Sequence, residues 1–270
     1  MLKGYVVPRT PLGQASLNPP PPWHYSGDVI GVEFWASPEA TAATLPEGLT
    51  PDPQANGHAV ALFIDWQFNG EHDEYLDPAR YQYREFLLLV DARHGETPVA
   101  WCPYIFVDND AALARGWIQG FPKRLGSVYQ TRTYVAPSAA AAPVTAGGRF
   151  GASMSSNGQR LVDARVTLRE PVKDPATLVS RPTVNLRYFP RLSVGQHDQP
   201  AVNELVLSVT DDLKLVDAWV GEGALSFPEA VGEELSALQP VRMGAGFRLG
   251  MSYSVTDLKL LDDLTHKASA

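Results

Sequence analysis

The sequence predicts a mainly β protein of predominantly antiparallel strands that close, or nearly close, on themselves. Three observations carry this. The chain holds many short runs rich in Val, Ile, Leu, Phe and Tyr, residues that suit a pleated, half-buried surface. Only two or three short stretches carry helix signals, and no strand–helix alternation marks a parallel sheet. With 270 residues, 44% hydrophobic and 19% charged, the chain can bury a sizeable core, and no internal domain boundary is evident, so residues 1–270 read as one domain.

In chain order, residues 1–22 read as an N-terminal arm. Pro8, Pro11 and the run Pro19 to Pro22 cannot donate backbone hydrogen bonds and favour an extended chain, which would wrap over its own body or a neighbouring subunit. Val29 to Trp35 is β-rich. Ser37-Pro38-Glu39-Ala40 then supplies an N-cap, a proline at the first helical position and an acidic first turn, predicting a short helix to about Leu45. Ala59 to Phe68, Tyr83 to Val90 and Val99 to Val107 are predicted strands. The polar loop between the first two, Asn69 to Arg80, has a length that often caps a pocket. Asp108 to Ala114 predicts a capped short helix. Further strands are predicted at Val128 to Val135, Phe150 to Met154, Leu161 to Leu168, Glu204 to Val209 and Leu215 to Val220, with an Ala/Pro/Gly surface loop at Ala136 to Gly148. Gly244 to Val255 alternates well enough to be a long final strand, placing Met251, Tyr253 and Val255 on one face.

Composition narrows the function. A net charge of −8, a pI near 5.2 and no basic run argue against nucleic acid as the main partner. The lone Cys102 excludes an internal disulfide, and the N-terminus lacks the apolar run of a signal peptide. No apolar window is long enough to span a membrane, so a soluble cytoplasmic protein is expected. Histidines at positions 24, 58, 72, 94, 197 and 266 have no metal-ligand spacing, and there is no G-x-S-x-G or H-E-x-x-H motif.

The segment that points to chemistry is Gln119-Gly120-Phe121-Pro122-Lys123-Arg124-Leu125. A lysine is nucleophilic only when neutral. An apolar pocket or an adjacent cation favours that form. Phe121, Pro122 and Leu125 can supply the first effect and Arg124 the second. Taken alone, Pro122-Lys123-Arg124 is more often a solvated loop.

The stretch resembles the active-site segment of the acetoacetate decarboxylase superfamily, Gly-Phe/Tyr-Pro-Lys-Lys, whose first lysine forms a Schiff base. Pro46-Glu47-Gly48-Leu49, the Asp108-Asn109 approach to the lysine and Arg181-Pro182 match the same pattern. The resemblance covers almost the whole chain. It implies an antiparallel cone-like β-barrel with a flanking sheet and a few short helices, no metal or organic cofactor, and a homo-oligomer. Glu85, in Tyr83-Arg84-Glu85, matches the family's active-site glutamate.

The departures are informative. The family's substrate arginine falls at about Gly27, an acidic residue near Ala61 to Ile64 is absent, its glutamate becomes Trp117, and its second lysine becomes Arg124. Gln119 and Tyr253 resemble the pair flanking the Schiff base in the aldolase-dehydratase branch. The resemblance therefore implies a lyase that condenses pyruvate or a similar 2-oxo acid with an aldehyde and dehydrates the adduct. Lys123 would be the nucleophile, Glu85 and Tyr253 would move protons, Gln119 would orient the substrate and Arg124 would assist by charge. Phe121, Trp117, Trp101, Trp23 and His24 are candidates to line the pocket. Two alternatives stay open: a 3-oxo acid decarboxylase, and a non-catalytic barrel that binds small carbonyl compounds.

Overall fold

The computed structural model describes residues 1–265; His266 lies outside them. The elements are β1 (Trp23–Trp35), α1 (Pro38–Ala42), β2 (Thr50–Pro51), β3 (His58–Asn69), α2 (Pro78–Tyr81), β4 (Gln82–His94), β5 (Thr97–Val107), α3 (Asp110–Ile118), β6 (Lys123–Leu125), β7 (Ser127–Gln130), β8 (Arg149–Ser156), β9 (Gln159–Pro171), β10 (Thr183–Pro190), β11 (Pro200–Ser226) and β12 (Arg242–Asp263). The protein is mainly β.

Strands β10, β5, β4, β3, β1, β12 and β11 are neighbours in that order, and β10 pairs again with β11, closing a ring. Beyond β11 the sheet continues through β9, β8 and β7 as a flank. Most pairings are antiparallel, but β5 pairs in parallel with both β10 and β6. The ring explains the near-continuous apolar runs: its strands are covered on both faces. Ile30, Val32, Phe34, Phe63, Phe86 and Leu88 belong to a core shared with the flanking strands, including Phe150 and Met154. Leu62, Ile64, Trp66, Tyr83 and Leu87, at the alternate positions of β3 and β4, belong to a second core, inside the ring. This is the period-2 alternation of strands.

Several boundaries differ from the sequence expectation. The helix after Ser37 forms with the predicted cap, Ser37 Oγ accepting from Ala40 N at 3.1 Å, but ends at Ala42. The two strands predicted at Glu204 to Val209 and Leu215 to Val220 are parts of one strand, β11, whose register shifts between Asp211 and Lys214 with Asp212 left-handed at φ 53°. A bulge of this kind looks like a strand break in sequence. Strand β7 stops at Gln130, short of Val135. The loop at 69–80 holds a 3₁₀ turn, Glu74–Leu76, and the start of α2. The barrel cavity is instead bordered by residues 177–183. The N-terminal arm folds back on its own body: Asn18 is buried and its amide donates to Ala111 O at 2.9 Å. Among the described residues, no helix is long and apolar enough to cross a membrane.

Candidate active site

Helix α3 and strand β6 together deliver Lys123 to the barrel interior. The helix ends at Ile118 with Gln119 as its C-cap, and Gly120 turns the chain with φ +81°, a conformation that costs a side chain but not glycine. Phe121 N donates to Gly116 O and Trp117 Nε1 to Lys123 O, both at 2.9 Å, so the turn is fastened on both sides. The lysine side chain then crosses the helix at Gly116. A Cβ there would sit 2.2 Å from Lys123 Cδ, so a glycine is required for the amine to reach its position.

The pairings align the site residues at one level of the ring. Ile105 is opposite Lys123, Ile64 opposite Glu85, Trp66 opposite Tyr83, and Tyr25 opposite Tyr253. Lys123 Nζ lies 2.6 Å from Glu85 Oε2, and both side chains are under a tenth exposed. The other carboxylate oxygen, Oε1, accepts from Trp66 Nε1 at 3.1 Å. Burial pushes the Lys123 ammonium below the usual lysine range; Glu85 opposes that shift and Arg115 reinforces it.

Arg115 was not singled out from sequence. It is 1% exposed, and its guanidinium lies 3.7 Å from the Phe68 ring centroid and 5.5 Å from those of Tyr25 and Tyr83. Asn18 of the N-terminal arm accepts from its Nη1 at 2.6 Å. A buried cation on three aromatic faces is compensated by their quadrupoles and this hydrogen bond. The only sequence signal was an arginine on the buried face of a short helix.

Gln119 and Tyr253 both reach the site. Gln119 is 4% exposed, and its Nε2 donates to Arg115 O at 3.3 Å. Tyr253 stacks on Tyr25 at 5.1 Å and meets Trp66 edge-on at 5.8 Å. Burial raises the Tyr253 and Tyr83 hydroxyls well above the usual tyrosine range, so both stay protonated at neutral pH. The role of Gly27 becomes concrete here: a Cβ at that position would lie 2.7 Å from the Trp66 ring. The glycine leaves room for the indole that holds Glu85. Trp66 and Tyr25 carried no motif and were legible only as apolar strand positions, and Tyr83 only as the first residue of the Tyr83-Arg84-Glu85 match.

Other sequence candidates are placed elsewhere. Arg124 follows Lys123 on a strand and therefore faces away. It forms a two-pronged pair with Glu233, both bonds 2.7 Å, on the surface. It is not the cation that depresses Lys123. Of the five aromatic and histidine candidates, Phe121 alone lines the lysine cavity. Trp101 and Trp117 line a separate groove of about 750 Å³, with Trp101 Nε1 bonded to Thr44 O. Trp23 is buried against the arm, its Nε1 donating to Pro19 O. His24 points to the other side of β1, within 2.7 Å of Ser254 Oγ. A strand's alternation separates His24 from Tyr25, and helix and turn geometry separate Trp117 from Lys123.

The cavity has a volume of about 460 Å³ and reaches from Lys123, Glu85, Gln119 and Tyr253 to Glu33, His58 and Asp91. Among the described residues, no group of three or more His, Cys, Asp or Glu side chains is placed to hold a metal.

Comparison with known proteins agrees with this geometry. Solved structures similar to the chain include the enduracididine biosynthesis enzyme MppR complexed with the condensation product of pyruvate and imidazole 4-carboxaldehyde. It is 34% identical with a TM-score of 0.90, the match covering 98% of each chain. MppR complexed with pyruvate matches with a TM-score of 0.88 over 97% of this chain and 99% of that one. An acetoacetate decarboxylase-like enzyme from Sphingomonas wittichii RW1 is 26% identical, with a TM-score of 0.87 over 97% of this chain and all of that one. No curated protein matches the chain. The family model for acetoacetate decarboxylase matches residues 6–264, from the arm that clamps Arg115 to the end of the final strand, and the chain is thus an enzyme of the acetoacetate decarboxylase family.

Proposed function

We propose that this enzyme is a Schiff-base aldolase-dehydratase, joining pyruvate or a similar 2-oxo acid to an aldehyde and dehydrating the adduct. The observation that carries the reading is the buried Lys123–Glu85 pair, 2.6 Å apart, with Gln119 and Tyr253 lining the same cavity. The 34% identity to MppR, which holds pyruvate and a pyruvate–aldehyde condensation product in its structures, supports it.

The chemistry runs as follows. Glu85 takes a proton from Lys123, freeing the amine; their 2.6 Å contact gives the path, and burial, which lowers the lysine pKa, favours the transfer. The amine attacks the C2 carbonyl of pyruvate, and Glu85 returns its proton to the carbinolamine hydroxyl, which leaves as water as the protonated imine forms. Its nitrogen is the electron sink, so the steps call for no further cofactor. A C3 proton then leaves to Glu85, and the enamine C3 attacks the aldehyde carbon. Neutral Tyr253 donates a proton to the aldehyde oxygen, giving a hydroxyl at C4. The Tyr253 phenolate then takes the second C3 proton, and the C4 hydroxyl leaves as water with the proton that Glu85 took from C3. Hydrolysis of the imine releases the unsaturated 2-oxo acid and restores Lys123. One pyruvate and one aldehyde give one product and one net water. Gln119 can bind a carboxylate or carbonyl oxygen without titrating, and buried Arg115 lends the pocket a positive potential that favours an anionic substrate.

Borohydride trapping with pyruvate, read by intact mass, tests the first steps. The wild type gains one reduced pyruvate adduct, and Lys123→Ala gains none. Pyruvate plus an aromatic aldehyde then gives a conjugated chromophore. Consumption of acetoacetate with no chromophore would instead identify a decarboxylase.

A further inference from the structure

The lysine cavity is much longer than pyruvate requires. Five alternate residues of β3, from His58 to Trp66, and five of β4, from Tyr83 to Asp91, all line it. At ~3.3 Å per residue, the six-residue step from Glu85 to Asp91 spans about 20 Å of barrel. The two ends differ in chemistry. Lys123, Glu85, Gln119 and Tyr253 form one end. The middle wall is aliphatic, with Val60, Leu62, Ile64, Leu87 and Leu89 contributing. The other end returns to charge.

At that far end, Asp91 Oδ2 meets His58 Nδ1 at 2.9 Å and Arg181 Nε at 3.2 Å. Arg181 also binds Asp52 at 2.8 Å, and Arg93 meets the other oxygen of Asp52 at 3.3 Å. Both arginines are thus committed to carboxylates. Glu33 lies on the same end of the cavity, and among the described residues no cation stands within ion-pairing distance of it. The carboxylates Asp52, Asp91 and Glu33 outnumber the arginines Arg93 and Arg181 by one. Glu33 faces inward on the register that puts it opposite Val60, next to Leu89 across the sheet. Its carboxylate therefore closes an aliphatic channel whose other end is the nucleophile.

We infer that the aldehyde partner is elongated, with an apolar body along β3 and β4 and a basic group at its far end received by Glu33. This rests on the aldolase reading and names its second substrate. The body is selected by burial of apolar surface, at ~25 cal/mol per Å². The basic group is selected because an unpaired carboxylate beside committed arginines attracts a cation and repels a second anion. Leu62 and Leu89 set the width of the channel, and Glu33 sets the charge preference.

The test compares aldehydes in the presence of pyruvate, following the chromophore. The probes are acetaldehyde and three cinnamaldehydes with a para dimethylaminomethyl, methyl or carboxylate group. The wild type should prefer the dimethylaminomethyl compound to the carboxylate by on the order of tenfold or more in kcat/KM. Glu33→Gln should reduce that ratio towards one; the methyl compound, measured in the same variant, is the internal reference. Equal or better use of the carboxylate, or an unchanged ratio in Glu33→Gln, would overturn the charge assignment. Acetaldehyde performing as well as the cinnamaldehydes would overturn the elongated body. Borohydride trapping of pyruvate separates the levels: an adduct on Lys123 with no condensation of any aldehyde sinks the aldolase reading and this one with it. An adduct with indiscriminate condensation sinks this one alone.

Discussion

Lys123 and Arg124 are consecutive residues that each hold a carboxylate at nearly the same distance, 2.6 Å to Glu85 and 2.7 Å to Glu233. Their surroundings separate them. The lysine and Glu85 are 6% and 8% exposed, whereas the Arg124 side chain is 46% exposed. In the dry pair, desolvation penalises the lysine's charge and holds its pKa below the usual range. In the wet pair, water screens the attraction and arginine does not deprotonate. One residue's turn of a strand thus divides a chemical pair from a structural one.

Glu85→Gln is the strongest way to break this contrast. Without the carboxylate, proton transfers lose their acceptor and donor, and kcat/KM should fall by about 10²–10⁴-fold. The same change removes the group that holds the Lys123 pKa up. Borohydride trapping of pyruvate should therefore begin at lower pH even as turnover collapses. A variant with wild-type turnover would remove Glu85 from the mechanism.

Arg115→Met gives an intermediate effect on the same pair. Methionine keeps an apolar body of similar reach among Tyr25, Phe68 and Tyr83 and removes only the charge. Arg115 lowers the Lys123 pKa, so its loss raises it, and less of the lysine is neutral at a given pH. The rising limb of trapping rate against pH should move to higher pH, with several-fold slower trapping near neutrality. A limb that stays in place would mean that Arg115 serves only to anchor Asn18.

How much of this was legible in sequence follows from the range over which each signal acts. The strands of the ring were read from local composition, and Lys123, Glu85, Gln119 and Tyr253 from motif positions; the fold brings all four to one cavity. Met251, Tyr253 and Val255 share the face their spacing predicts, because alternation is local. Arg124 was misplaced because adjacency in sequence was taken for adjacency in space, and a strand inverts that. Arg115 and Trp66 were missed because their importance depends on pairings between remote strands: Trp66 matters through Glu85, nineteen residues away, and Arg115 through Asn18. Trp101 and Trp117 were grouped with the lysine by proximity in the chain, but they open onto a different groove.

Arg124→Gln should produce the smallest change, and for that reason it tests the contrast most cleanly. The substitution removes an ion pair on the barrel's outer side and leaves Glu233, 7% exposed, without its partner. Because the arginine is nearly half exposed, the cost is that of a screened pair, about 1 kcal/mol, or a fall in Tm of about 2–4 °C. Since its guanidinium points away from the cavity, the trapping limb should stay where the wild type has it, and kcat/KM should hold within about twofold, as for surface substitutions. If the limb instead moved up, as in Arg115→Met, the charge of Arg124 would be felt at Lys123 through the strand. Lys123 would then be tuned by its neighbour in sequence as well as by its neighbours in space.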